Sequence, residues 1–107
     1  MSLENSIWRQ YNEELNIKEV LEVFYEKWEM ELESDEILLH NILKSKLTKK
    51  EFRLFAMLSA KTDTQKIQER FGYESKELEE AKEKLYKKLK QDKVRLAFRK
   101  VETAKEE

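Results

Sequence analysis

The chain has 107 residues, 42% charged and 39% apolar, with one glycine and neither proline nor cysteine; that balance suits solvated amphipathic helices around one core rather than a sheet with tight turns. No run approaches the roughly 18 apolar residues of a membrane span, the opening MSLENSIWRQ lacks the pattern of a secretion signal, and without cysteine there are no disulfides or thiolate metal sites, so a cytoplasmic, all-α protein of about six helices is expected. The net charge of −1 hides a division: residues 1 to 46 carry 11 acidic and 5 basic side chains, residues 47 to 107 carry 12 and 17, so the second half suits an anion, or the two halves suit each other.

The first helix is predicted over residues 3 to 14, where Leu3, Ile7, Tyr11 and Leu15 recur every four residues beside Trp8. Asn16, followed three residues later by Glu19, reads as the cap of a second helix running to about residue 33. Ile17, Val20, Leu21, Phe24, Trp28 and Leu32 would form its apolar face, opposite an acidic one of Glu19, Glu22, Glu26, Glu29 and Glu33. Val23 and Met30 lie off that stripe and are candidates for a partner surface. A third helix, capped by Ser34, carries Ile37, Leu38, Ile42 and Leu43 inward. These helices make up an acidic N-terminal segment, residues 1 to 46.

Residues 47 to 107 begin with Thr48 and Glu51 at capping-box spacing, and Phe52, Phe55, Ala56 and Leu58 then mark the inner face of a fourth helix. Thr62 or Asp63 caps a short fifth, with Ile67 and Phe71 inward, and Gly72 ends it in the position where a left-handed residue is wanted. A sixth helix starts near Glu74 or Ser75 and meets no breaker before about residue 103, after which ETAKEE is expected to fray. Leu78, Lys82, Leu85, Leu89, Asp92 and Leu96 would share its seam, with lysine and aspartate interrupting the apolar series.

Two helices around a glycine turn, preceded by a Leu-Thr-x-x-Glu start, carry a resemblance. Leu47, Thr48, Glu51, Leu54, Leu58, Ile67, Phe71, Gly72, Leu78, Leu85, Lys88 and Leu89 occupy the corresponding places in a segment that resembles the helix-turn-helix of LuxR-type regulators and of sigma-factor region 4. Gln68 stands where those families usually place alanine, and Tyr73 replaces a smaller apolar residue. The resemblance implies DNA binding in transcriptional control, with a basic C-terminal helix extending the motif. It places Lys76, Glu79, Glu80 and Glu83 on the groove-facing part of the recognition helix, with Lys82 and Lys87 as phosphate contacts. Lys66 joins these DNA-facing groups, and Lys49, Lys50, Arg53, Lys88, Lys90 and Arg95 form a phosphate rim.

The recognition segment is unusually acidic for that task. Residues 74 to 84 hold five glutamates against three lysines, whereas residues 85 to 100 hold seven basic groups and one acid. Glutamate accepts from cytosine N4, but several glutamates beside phosphates oppose counterion release. The plainer reading of the basic tract is a solvated face, with Glu80 and Lys84, or Glu83 and Lys87, paired at helical spacing. The competing functional expectation is a non-catalytic protein-interaction module that keeps the helix-turn-helix shape, as a homodimer or beside the transcription machinery.

Other constellations are bland. His40 is the only histidine, and the acidic face of the second helix has no histidine at helical spacing, so no metal is expected. Trp8, Tyr11, Phe24, Tyr25 and Trp28 read as packing between the first two helices rather than as a base-stacking platform. No glycine-rich phosphate loop or serine-histidine constellation is present, so neither catalysis nor a cofactor is expected.

Overall fold

A computed structural model describes residues 6–12 and 15–99 as an all-α fold. Its helices are α1 (Ile7–Tyr11), α2 (Ile17–Phe24), α3 (Glu36–Lys46), α4 (Lys49–Ser59), α5 (Thr64–Phe71), α6 (Ser75–Lys90) and α7 (Asp92–Arg95), with 3-10 turns at Glu26–Trp28 and Leu96–Phe98. Extended pairing among the described residues is a single antiparallel bridge between Leu32 and Arg99. Leu3, residues 13 and 14 of the first predicted helix, residues 100 to 103 of the sixth, and the ETAKEE tail lie outside the described residues.

One apolar core runs from Trp8 to Phe98 and takes side chains from both halves of the chain. Trp8 packs on Phe55 of α4 with ring centroids 5.9 Å apart, and its indole Nε1 donates to Leu15 O at 2.9 Å. The buried Asn12 amide donates to Ala56 O at 3.0 Å, so a polar group in the core is satisfied across the interface. Glu36, in the first turn of α3, accepts from the Ile17 N–H at 3.0 Å and pairs with Arg9 at 3.3 Å. One carboxylate thus joins α1, the start of α2 and α3. The third helix is capped by Asp35, whose Oδ1 accepts from Ile37 N at 3.0 Å, and not by Ser34.

Two predicted helices end early. The second stops at Phe24 rather than near residue 33: a 3-10 turn follows, and Glu29 takes the left-handed conformation (φ 49°), sending residues on as an extended segment that buries Leu32. The sixth stops at Lys90 rather than near residue 103, with Gln91 extended (φ −67°, ψ 143°). The Gln91 carbonyl then accepts from Val94 N and Arg95 N, starting α7. The physical reason lies in the seam. Asp92 and Leu96, next in register after Leu89, are both exposed, whereas the break at Gln91 rotates Val94 and Phe98 into the core. The basic segment beyond Lys90 is therefore a fold-back and not a helical extension. It is held by the Glu33 N–H donating to Phe98 O at 2.9 Å.

Candidate nucleic-acid interface

The three helices α4, α5 and α6 follow one another through two turns of the same type. Thr48 Oγ1 accepts from Glu51 N at 3.1 Å while Glu51 Oε1 accepts from Thr48 N at 2.8 Å, closing the capping box that opens α4. At its end, Thr62 N donates to Met57 O and Lys61 N to Leu58 O, with Lys61 left-handed (φ 58°). At the end of α5, Tyr73 N donates to Gln68 O at 3.0 Å over Gly72 (φ 72°, ψ 30°). Asp63 sits at the N-cap of α5 without a side-chain cap bond. Ile67, Leu78, Leu85 and Leu89 are buried, leaving the opposite side of α6 to solvent. Gln68, where a small residue would allow closer packing, is half-buried and its amide donates to Ser75 Oγ at 3.3 Å.

On α6 the acids have local work. Glu77 Oε1 accepts from Glu74 N at 2.8 Å, and both lie where the helix dipole favours negative charge. Glu79 pairs with Lys82 at 3.6 Å. Lys76, Glu80, Glu83 and Lys87 are exposed. Glu80, Glu83 and Lys87 line an open concavity of about 720 Å³ with Tyr73, Glu77, Ala81 and Lys84.

The expected rim is divided by the fold. Lys88 reaches back to Glu51 at 2.8 Å, tying α6 to the capping box of α4. Burial pushes the Glu51 carboxyl up, but the bonds from Lys88 and from the Thr48 backbone outweigh it and hold it below the usual carboxylate range. Arg95 pairs with Asp92 at 2.7 Å and lies over the Trp28 ring, 5.4 Å from its centroid. Lys90 is exposed just before the Gln91 break, and Lys66 is exposed on α5. Lys49, Lys50 and Arg53 stay together on α4, with Lys50 5.0 Å from the centre of the Tyr73 ring.

They are joined by a residue that sequence reasoning missed. Arg70, at the end of α5, lines an open cleft of about 450 Å³ with Lys49, Lys50, Arg53 and Phe71. Its signal was the four-residue step from Lys66, which places both on one side of α5. Arg53 Nη1 donates to Tyr11 Oη at 3.5 Å. Burial pushes the Tyr11 phenol up, while Arg53 and Arg70 together hold it below its usual value.

Elsewhere, Trp8 and Tyr25 are buried and Tyr11, Phe24 and Trp28 are half-buried, Phe24 packing on Tyr86 at 5.7 Å. Val23 is 73% exposed, whereas Met30 is half-buried with Arg95 against its sulfur at 4.0 Å. Among the described residues no group of three or more acidic, histidine or cysteine side chains is arranged to hold a metal ion, and no helix is long and apolar enough to cross a membrane. Comparison with protein-family models, curated proteins and solved structures finds no match.

Proposed function

We propose that this chain is a small helix-turn-helix protein that binds duplex DNA in transcriptional control. The observation that carries the reading is the left-handed turn at Gly72, which joins α5 to a helix presenting one whole side to solvent next to the cations of α4 and α5. A helix of this kind fits the major groove when flanking cations hold the phosphates. Lys49, Lys50, Lys66 and Arg70 supply that charge, and none of them forms an ion pair among the described residues. The acids at the start of α6 serve its own N-terminus, which moves phosphate contact toward α4 and α5.

Titration of the full chain with random and genomic duplexes at several salt concentrations tests this. Micromolar binding at about 50 mM salt that weakens steeply as salt rises is expected from counterion release. Undetectable binding there would reject the DNA reading.

A second reading is supported by the exposed Glu80 and Glu83 beside Tyr73 and Ala81 in the α6 concavity. That surface, three glutamates against Lys84 and Lys87 around Tyr73 and Ala81, suits a basic protein segment, which makes a non-catalytic interaction module the competing role. Homodimerisation belongs to the same reading.

A further inference from the structure

The four cations of the α4 and α5 cleft differ from the basic groups that the fold pairs with carboxylates. Lys82, Lys88 and Arg95 are neutralised by carboxylates of neighbouring turns or helices. Lys49, Lys50, Arg53 and Arg70 border one open concavity whose lining contains no carboxylate. Lys49 and Arg53 are one helical turn apart on α4, so both reach the same side, and Arg70 approaches from the end of α5. Like charges gathered around one cleft repel one another unless an anion or water intervenes. The Tyr11 hydroxyl accepts from Arg53.

We propose that this cleft is a phosphate seat that grips the backbone of duplex DNA and sets the orientation of the helix-turn-helix on it. The inference rests on the DNA reading above and narrows it. Arg53 and Arg70 present planar guanidinium groups able to donate two parallel hydrogen bonds to phosphate oxygens. Lys49 and Lys50 add point charges in the first turn of α4, where the backbone end is also positive. Phe71 adds apolar surface to the lining, stacked on Tyr73 at 5.4 Å and 17°. A phosphate in the seat anchors the strand beside α4 and keeps it off Glu74 and Glu77. Arg70 and Tyr11 thereby become part of the interface.

The test compares two double variants that each remove two exposed positive charges, Lys49→Gln with Arg70→Gln and Lys27→Gln with Lys93→Gln. The cleft pair is expected to weaken duplex binding about tenfold and to reduce the salt slope by roughly two, the loss of two phosphate contacts, with the distant pair changing both much less. Equal effects from the two pairs, or an unaffected cleft pair, would overturn the seat while leaving DNA binding standing. Where the unaltered chain binds no duplex, the DNA reading fails first. Inorganic tripolyphosphate then decides the chemistry: shifts of the Arg53 and Arg70 side-chain NMR signals support an anion seat for a free phosphate compound, and unchanged signals overturn it.

Discussion

His40 is buried on α3 with its ring edge-on to Phe52, centroids 5.3 Å apart, and neither ring nitrogen has a hydrogen-bond partner among the described residues. Burial lowers its proton affinity. The nearby Lys44 and Arg9 act in the same direction, and together these outweigh Asn41 and Glu36, which favour the proton. The unfolded chain takes up that proton at a pH of about 6.5, before the folded one does, so stability falls as pH drops below that value toward the lowered folded pKa. Thermal midpoints at pH 7.5 and 5.5 check the sign. The unaltered chain is expected to lose more on acidification than His40→Gln, and equal losses would reject the contribution. A lone histidine on an apolar stretch is thus a core residue with an acid-sensitive cost. Its lack of a partner could be seen only after α3 and α4 had packed.

At the scale of elements, the two turns around α5 use one geometry and different residues. Gly72 adopts positive φ freely, and a Cβ added there meets nothing within 4 Å, so the cost of any substitution is conformational. Lys61 holds the equivalent place after α4 at φ 58°. Gly72→Ala is expected to lower stability by about 1 kcal/mol, and Lys61→Gly to raise it by up to about 1 kcal/mol, less the entropy gained by the unfolded chain. Urea unfolding of both variants measures the pair, and a stabilising Gly72→Ala would contradict the left-handed assignment. The glycine turn was legible because glycine is scarce in this chain. Its lysine twin was not, because left-handed geometry there is imposed by the bonds from Lys61 and Thr62 back to the last turn of α4. Helix ends at Phe24 and Lys90 were hidden for a related reason. Neither carries proline or glycine, and α6 ends where Tyr25 Oη donates to Leu89 O at 2.7 Å, a capping partner 64 positions away in sequence.

On the scale of the whole molecule, the acidic and basic halves share a core rather than meeting as separate surfaces. Trp8, Ile17, Leu21, Tyr25, Leu39 and Leu43 come from the first half and are fully or almost fully buried with Phe55, Leu85, Leu89 and Phe98 of the second. A fragment of residues 47 to 107 is therefore expected to lose its cooperative thermal transition, since each large apolar side chain it must expose costs about 1.5 to 3 kcal/mol and net stability is of the order of 5 to 15 kcal/mol. Circular dichroism on heating distinguishes the outcomes, and a sharp transition in the fragment would show that residues 47 to 107 fold alone. The same sharing explains the partial legibility of the candidate site. Lys49, Lys50 and Arg53 could be picked out as a cationic group from their spacing on α4. The neutralisation of Lys88 by Glu51 and the approach of Arg70 to Tyr11 depend on helix packing.

By itself the sequence determined the helical class, the capping box at Thr48 and Glu51, the turn at Gly72, and the inward faces of α4, α5 and α6, because these follow from local chemistry and helical spacing, whereas on α3 the expected Leu38 is exposed and Leu39 is buried instead. Tertiary structure decided where α2 and α6 stop, which cations are spent on carboxylates, and which remain gathered in the cleft of α4 and α5. Burying Val94 and Phe98 required a change of helical phase, and the neutralisation of a charge depends on which groups distant stretches of chain bring beside it.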